Sequence, residues 1–284
     1  MTKVSVLMPV YKTPEKFLKE AIESILNQTF TDFEFLIVDD CPEDKTCEQI
    51  ISSFTDKRIK YLRNEVNLGI SGTRNRLLNL SGGEYIAVMD HDDVSLPSRL
   101  EKQVAFLDTH PDIGVVGCQA EHFPKIKQTH DPLTDEEIKK RMLVHCCLTH
   151  PATMIRKSVL SKEPYQAKFT PAEDYALWAD LATKTKFANL PEVLFRYRKF
   201  GGNISITQKE KMNKAALMIQ SQLRHSLPVF WEMAQAEATS LWNIRLFNFI
   251  PLIKAVKKHN QMRIFLFGFI PLAHIKKKTT FKAV

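Results

Sequence analysis

Tyr85-Ile-Ala-Val-Met-Asp-His-Asp-Asp93 joins an apolar run directly to a cluster of carboxylates. The run predicts a buried strand, and the acidic residues follow where that strand should end. Three carboxylates this close repel one another and are costly to desolvate, so a hard divalent cation is their usual partner. Because Mg²⁺ and Mn²⁺ favour phosphate oxygens as further ligands, the segment predicts a metal and phosphate site at the carboxyl end of a sheet strand. The alternative is a polar turn that leads into the next helix, with Ser95 as its N-cap.

Strand and helix signals alternate from the N-terminus to about residue 120. Apolar runs predict strands at Val4–Val10, Phe33–Val38, Ile59–Leu62, Glu84–Met89 and Ile113–Ala120. Helix signals lie between them, at residues 14–26 after Thr13 as N-cap, and at residues 47–54, 71–80 and 97–107. Nearly continuous apolar strands joined by helices indicate an α/β fold, with a mostly parallel central sheet and helices on both faces.

The pattern becomes less regular after residue 120. Thr134 and Glu137 form a capping-box signature, which predicts a helix over residues 134–143. A short strand is predicted at residues 152–155, a helix at 173–183, and two helices within 207–245 that separate at Pro228. We therefore expect one main domain over residues 1–205, with halves at 1–120 and 121–205, and a helical, basic C-terminal extension over residues 206–284.

Positive charge is concentrated at the C-terminal end. Residues 245–284 hold nine basic and no acidic residues, whereas the rest of the chain is nearly neutral. A nucleic-acid-binding domain usually carries its basic residues on the folded surface, so no nucleic-acid partner is expected. The five cysteines lack a CxxC spacing, which is typical of a reduced setting. The sequence also lacks a signal-peptide pattern and an apolar run near the roughly 18–20 residues that span a bilayer, so we expect a cytoplasmic location.

Aromatic and charged residues, rather than the common glycine-rich loops, follow the predicted strands. Neither GxGxxG after the first strand nor GxxxxGK[ST] occurs. Tyr11 suits stacking on a base, with an ordinary half-buried aromatic as the alternative. The carboxylates of Asp39 and Asp40 are suited to accept a hydrogen bond from the N3–H of a uracil ring. The alternative is that they are ordinary aspartates of a turn at the strand end. Arg74 near a helix start suits binding an anion, unless it pairs with a surface carboxylate.

Taken in order along the chain, these motifs resemble those of the family 2 glycosyltransferases of GT-A fold. The motifs are Pro9-Val-Tyr11, Val38-Asp-Asp40, Asn67-Leu-Gly69 with Arg74-Asn75, Gly83-Glu-Tyr-Ile86, Asp90-His-Asp92-Asp93 and Glu173-Asp174. The resemblance covers residues 3 to about 205. It implies a nucleotide-diphosphate-sugar donor, most often UDP-linked, a Mn²⁺ or Mg²⁺ ion, and inversion at the anomeric carbon. It also implies that residues 1–120 bind the donor and that residues 121–205 form the acceptor side.

The resemblance assigns roles to individual residues. It implies donor binding by Pro9, Tyr11, Asp39, Asp40, Asn67, Gly69, Arg74, Asp90 and His91. Asp92 is expected to ligate the metal. Asp90 is expected to contact the ribose or a water molecule bound to the metal. Asp174 matches the general base that takes a proton from the acceptor hydroxyl. The alternative for Asp174 is a charge that complements the dipole of a helix N-terminus.

The remaining candidates belong to the acceptor side or to a closing loop. They are His150, Glu173, Arg198 and Lys199. His150 lies in a segment that resembles the family's acceptor-site floor, with a purely structural histidine as the alternative. Residues 197–205 resemble a loop that closes over the donor, in which Gly201-Gly202 suits a hinge. Many relatives carry a histidine where this chain has Phe200, so Arg198 or Lys199 is expected to neutralise the diphosphate instead.

Two similar apolar and aromatic segments, Leu246–Leu252 and Leu266–Leu272, lie among the lysines of the C-terminal extension. They suit the interface of an anionic membrane, with packing on the catalytic domain as the alternative. We therefore expect a peripheral protein at the inner face of the cytoplasmic membrane, acting on a glycan or lipid-linked acceptor in lipopolysaccharide or capsule synthesis. The oligomeric state stays open, with a homodimer as one option.

Two other functions remain as alternatives. A non-catalytic sugar-nucleotide-binding or scaffold subunit would keep the fold, but it should have lost the base that Asp174 matches. A nucleotidyltransferase is expected to carry a glycine-rich pyrophosphate loop after its first strand, and the Pro9-Val-Tyr11 turn offers none. Testing the products for pyrophosphate or UDP separates the two enzyme classes.

Overall fold

A computed structural model of the chain describes residues 2–201, 207–241, 253–258, 261–266 and 270–276. Contacts divide the chain into two compact units, residues 1–226 and 227–284. The first unit therefore ends at Ser226, later than the expected boundary near residue 205. The helix after that boundary belongs to the first unit because it packs against the helix that carries Asp174.

The first unit is built on a mixed, mostly parallel sheet. Its strands are β1 (Val4–Val10), β2 (Phe33–Asp39), β3 (Ile59–Arg63), β4 (Tyr85–Val88), β5 (Val94–Ser95), β6 (Ile113–Phe123), β7 (Lys127–Gln128), β8 (Met154–Arg156) and β9 (Lys186–Arg198). They lie in the order β3-β2-β1-β4-β8-β6-β9-β5, and β7 pairs with β6. The block β3-β2-β1-β4 is parallel, whereas β8 runs antiparallel to both its neighbours. The predicted α/β fold is confirmed.

Helices cover this sheet and connect its strands. They are α1 (Glu15–Leu26), α2 (Thr46–Ser52), α3 (Gly69–Leu80), α4 (Arg99–Thr109), α5 (Asp135–Met142), α6 (Glu173–Leu181) and α7 (Lys209–Ser226). Strands β1, β2 and β4 are buried along their whole length, as their continuous apolar sequences require. Because they are parallel, their carboxyl ends meet at one edge of the sheet. The residues after each strand end, Tyr11, Asp40 and Asp90, therefore lie along the same edge.

The helix starts confirm one prediction and correct two. The capping box of Thr134 and Glu137 is present at the start of α5. Thr13 is not an N-cap, because Pro14 holds that position and the Thr13 hydroxyl instead bonds His91 Nδ1 at 2.9 Å. Ser95 is not an N-cap either, because it pairs with β9 as part of β5 and α4 starts after Ser98.

The second unit contains α8 (Pro228–Leu241) and three antiparallel strands. These are β10 (Ile253–Lys258), β11 (Gln261–Leu266) and β12 (Ile270–Lys276). In the described residues 253–258, 261–266 and 270–276, the structure therefore has strands where a helical extension was expected. Isoleucine and phenylalanine are frequent in this region, and β-branched and aromatic residues favour strands. None of the helices in the described part of the chain is long and apolar enough to cross a membrane.

Candidate active site

Two aspartates with different surroundings end strand β2. Asp39 is buried, and its Oδ1 and Oδ2 accept hydrogen bonds from the Cys41 N–H at 3.0 Å and the Tyr61 hydroxyl at 3.3 Å. Burial raises the pKa of the Asp39 carboxyl, which these hydrogen bonds partly offset. Asp40 Oδ1 instead accepts bonds from Asn64 Nδ2 at 2.6 Å and the Leu68 N–H at 2.8 Å. Asp40 therefore fixes the loop that leads into α3.

The same loop is closed by Asn67 and Gly69. Asn67 Nδ2 donates to the Asp40 carbonyl at 2.9 Å, and its Oδ1 accepts from the Gly69 N–H at 3.1 Å. Gly69 has a φ of +69°, a conformation that glycine adopts without the strain of a side chain. The predicted donor-side loop thus lies next to the end of β2, held by the side chains of Asp40 and Asn67.

An aromatic side chain stands at the end of β1. Pro9 is buried within the strand, whereas Tyr11 is 45% exposed. Lys12 lies 5.2 Å from the Tyr11 ring centroid and 3.3 Å from Glu43. The exposed ring lies at the same sheet edge as Asp39, and its base-packing role stays a prediction.

The four residues Asp90–Asp93, here called the acidic loop, follow β4. Burial raises the pKa of the Asp92 carboxyl, an effect that His91 opposes and Asp90 reinforces. Asp93 is fully buried, and burial with the charges of Asp92 and Asp90 raises its pKa well above the usual range. Asp93 Oδ1 accepts a bond from the Arg198 N–H at 2.7 Å, but its Oδ2 has no hydrogen-bond partner among the described residues. Negative charge in this loop is therefore under-compensated by the protein.

Arg74 joins the acidic loop to helix α6. Its guanidinium donates to Glu173 Oε1 at 2.7 Å and to Asp90 Oδ1 at 3.1 Å, and lies 5.6 Å from the Tyr165 ring centroid. Burial alone lowers the pKa of Arg74, but the two carboxylates more than offset it, so its pKa is raised. Arg74 is thus a permanent buried cation that holds the carboxylates of Asp90 and Glu173 together.

Asp174 lies in the first turn of α6, next to Glu173. Its Oδ1 accepts the N–H of Tyr175 at 2.7 Å. Burial raises the pKa of the Asp174 carboxyl to about 6, with Glu173 adding to the rise and Arg74 opposing it. A carboxylate with a pKa near 6 is a stronger base than an exposed aspartate and is still ionised at neutral pH. These properties suit proton abstraction from a hydroxyl.

His150 lies in the core rather than on an exposed wall. It is 4% exposed, its Nε2 lies 2.9 Å from the Tyr165 hydroxyl, and its ring packs 5.6 Å from that of Trp178. Burial and the charge of Arg74 lower the pKa of His150 well below its usual range, so the ring is neutral. This buried position fits a purely structural role for His150 better than a role in contacting a ligand.

Sequence reasoning missed Tyr165 as part of the site. The Asn75 side chain exchanges two hydrogen bonds with the Tyr165 backbone, at 2.8 and 3.0 Å, and the Tyr165 ring faces Arg74. Asn75 carries a sequence signal because it follows Arg74 in a motif. Tyr165 lies in an irregular segment before a short 3₁₀ turn and carries no periodic signal.

The candidates at the end of β9 occupy different positions. The Arg198 side chain is buried and contacts Glu20 and the Asp92 carbonyl, so it supports the acidic loop from the side. Lys199 is exposed. Phe200 packs against Phe17 with ring centroids 5.4 Å apart. The proposed hinge residue Gly202 and the rest of that loop lie outside the described residues.

The acidic loop supplies fewer ligands than an all-protein metal cage needs. Among the described residues, no group of three or more Asp, Glu, His or Cys side chains is arranged to hold a metal ion. Asp90 and Asp92 can supply one or two carboxylates, which is what Mg²⁺ sites shared with a substrate phosphate use. The unpartnered Asp93 Oδ2 and the raised pKa of Asp92 also fit a missing cation, so the residues present are compatible with such a site.

Comparisons with known proteins bear on the family and the fold of this chain. Residues 5–163 match the family model described as glycosyl transferase family 2. An uncharacterized glycosyltransferase of Methanocaldococcus jannaschii, MJ1057, is 39% identical over 203 residues, which cover 69% of this chain and 70% of the relative. The Escherichia coli UDP-Glc:alpha-D-GlcNAc-diphosphoundecaprenol beta-1,3-glucosyltransferase WfgD is 27% identical over 214 residues, 74% of this chain and 83% of the relative.

Solved structures share the fold. Staphylococcus aureus TarS 1-349 in complex with UDP-GlcNAc superimposes with a TM-score of 0.63 at 21% identity, covering 84% of this chain and 75% of TarS 1-349. The complex of TarS 1-349 with UDP gives a TM-score of 0.58 at 20% identity, with 86% and 76% covered. These similarities establish a GT-A type architecture for the main unit.

Proposed function

The chain belongs to glycosyl transferase family 2, and from that premise we propose that it transfers a sugar from a nucleotide-diphosphate donor to a hydroxyl acceptor with inversion. The observation that carries this proposal is the bridge formed by Arg74. This buried cation bonds Asp90 on the predicted donor side and Glu173 beside the predicted base. Arg74 thereby holds Asp90 of the acidic loop and Glu173, the neighbour of Asp174, in fixed positions relative to each other.

The donor is proposed to be a UDP-sugar. Tyr11 offers an exposed ring for the base, and Asp39 offers carboxylate oxygens at the same sheet edge. A carboxylate is a hydrogen-bond acceptor, which suits the N3–H of uracil better than a ring nitrogen without hydrogen. The structural neighbour TarS binds UDP and UDP-GlcNAc, and the name of WfgD specifies UDP-Glc, which supports the same donor class here.

Asp92 and Asp90 are the residues proposed to hold Mn²⁺ or Mg²⁺ together with the donor diphosphate. The bound ion would act as a Lewis acid and stabilise the negative charge of the leaving diphosphate. The guanidinium of Arg74, which donates to Asp90 Oδ1 at 3.1 Å, orients that carboxylate. Asp93 contributes by anchoring the loop through the Arg198 N–H.

Asp174 is proposed as the general base. Its ionised carboxylate takes the proton of the acceptor hydroxyl while that oxygen forms a bond to the anomeric carbon. The bond from the anomeric carbon to the diphosphate oxygen breaks in the same step, and the nucleoside diphosphate leaves. Attack opposite the leaving group inverts the configuration at that carbon.

The acceptor is proposed to be a glycan or a lipid-linked saccharide in cell-surface polysaccharide synthesis, at the cytoplasmic face of the membrane. WfgD, whose name specifies a diphosphoundecaprenol-linked acceptor, supports this proposal. Most of the aromatic and β-branched residues on which membrane binding was predicted lie outside the described residues. These are Phe247, Phe249, Ile250, Phe267 and Phe269. Membrane contact and dimer formation stay predictions.

Incubation with a panel of UDP-sugars and Mn²⁺, followed by detection of released UDP, tests the proposal. We expect UDP release that depends on Mn²⁺ and on an added saccharide acceptor. Asp174→Asn should reduce turnover by a factor of about 10² or more. Asp112→Asn is the matched control, because Asp112 only pairs with Lys186 on the surface. Unchanged turnover in Asp174→Asn, or release of pyrophosphate instead of UDP, would refute the assignment.

A further inference from the structure

Arg198 contacts two consecutive residues of the acidic loop. Its backbone N–H donates to Asp93 Oδ1 at 2.7 Å, and its side-chain Nε donates to the carbonyl oxygen of Asp92 at 2.6 Å. These two bonds fix the peptide that joins Asp92 to Asp93. The direction in which the Asp92 carboxylate points is therefore set from outside the loop.

The other end of the Arg198 side chain is held by helix α1. Its NH2 group donates to Glu20, and the guanidinium lies 4.2 Å from the ring centroid of Phe17. A second ring, that of Phe123 at the end of β6, lies 4.4 Å from it. Only 10% of the side chain is exposed. A planar cation held between two rings and a carboxylate loses little further freedom when it bonds the loop, so its position is rigid.

We propose that Arg198 is a positioning residue, which orients the Asp92 carboxylate for divalent metal by tying the acidic loop to α1 through Glu20. This inference rests on the proposed function, because it assumes that Asp92 binds the metal with the nucleotide diphosphate. In this role Arg198 acts through its bonds to Asp92 and Asp93 and not by direct contact with the ion. Its role is to remove the reorganisation that a loosely held acidic loop would need before it could bind the ion. Groups that orient metal ligands in this way typically change metal affinity by about 10–100-fold.

The chain offers a matched control two residues earlier on the same strand. Arg196 pairs with Glu121 at 3.2 Å and lies 4.7 Å from the Phe123 ring. Arg196 and Arg198 both line an open cavity of about 560 Å³ between α1 and the ends of β6 and β9. Arg196 shares the charge and the aromatic neighbour of Arg198 but makes none of its hydrogen bonds to the acidic loop.

Calorimetric titration of UDP at a series of Mn²⁺ concentrations tests this role without turnover. In Arg198→Lys, a positive charge remains near Glu20, but the planar Nε donor to Asp92 is lost. We expect the Mn²⁺ concentration that gives half of the maximal UDP binding to rise about tenfold or more. Glu20→Gln should shift it in the same direction by less, and Arg196→Lys should leave it unchanged.

The kcat at saturating Mn²⁺ distinguishes the positioning role of Arg198 from a merely structural one. At saturating Mn²⁺, the kcat of Arg198→Lys should return to within about threefold of the wild-type value, because metal binding, not the chemistry, is impaired. A lower kcat with an unchanged Mn²⁺ dependence would overturn the inference. If Arg198→Lys does not fold, Glu20→Gln decides alone, and an unchanged Mn²⁺ dependence in that variant overturns it. If the wild-type chain binds UDP equally well without Mn²⁺, the proposed metal site itself is wrong.

Discussion

The acid limb of the pH dependence of kcat/KM should reflect the ionisation of Asp174. Burial, with a contribution from Glu173, raises the pKa of this carboxyl to about 6. Half of the Asp174 carboxyls are then ionised near pH 6, and only about one in ten at pH 5. Because only the ionised form accepts a proton, kcat/KM should fall about tenfold between its plateau and pH 5.

Glu173→Gln tests the electrostatic part of this reasoning. Glutamine still accepts the hydrogen bond from Arg74 but removes a negative charge that raises the pKa of Asp174. The acid limb should therefore move to lower pH. Asp180→Asn is the control, because Asp180 lies on the same helix but pairs with Lys184 at the surface. The assay is kcat/KM for UDP release from about pH 4 to about pH 8, roughly two units on each side of the expected midpoint, in buffers of constant ionic strength at saturating Mn²⁺. A midpoint near 4 in the wild type, or an unmoved limb in Glu173→Gln, would refute the reasoning.

Three predictions concern stability, measured by urea unfolding. Arg74→Met should lower the free energy of unfolding by about 3–5 kcal/mol, because it leaves the buried carboxylate of Glu173 without its cation; a loss below 1 kcal/mol would contradict this. Asp174→Asn should stabilise the fold at pH 7 by on the order of 1–3 kcal/mol, although it reduces turnover by a factor of about 10² or more. The folded-state pKa lies above the unfolded value, so the ionised carboxyl costs stability above pH 6 and the gain should vanish below about pH 4. Gly69→Ala should lower the free energy of unfolding by about 1 kcal/mol because of the φ of +69° alone, since no atom lies within 4 Å of the added Cβ. Gly201→Ala is the control, because it has equal space and no positive φ, and it should change the free energy of unfolding little.

The sequence predicted the central sheet well because each strand there carries its own signal. Residues 4–10 and 33–39 are buried on both faces, so their apolar runs are continuous and easily recognised. Parallel order then brings Asp39 and Asp90 to one edge, which is how the candidate site could be predicted from motif order. The capping box at Thr134 is equally local and was also predicted correctly.

Features that depend on distant contacts could not be predicted in this way. Nothing next to Arg198 in the sequence indicates that its side chain turns toward Glu20, 178 positions away, rather than toward a diphosphate. The exchange of hydrogen bonds between Asn75 and Tyr165 spans 90 positions and has no periodic signal. Similarly, Thr13 satisfied the local rule for an N-cap, but its hydroxyl bonds His91.

Thermal unfolding with a panel of nucleoside diphosphates, with and without Mn²⁺, tests the central claim most directly. The account predicts that UDP stabilises the chain only when Mn²⁺ is present, and more than GDP or ADP at equal concentration. A ligand at about 100 times its Kd should add roughly 2.7 kcal/mol to the free energy of unfolding. The shift should disappear in Asp92→Ala and persist in Asp112→Asn. No shift with any nucleotide would contradict the donor site built from Tyr11, Asp39 and the acidic loop.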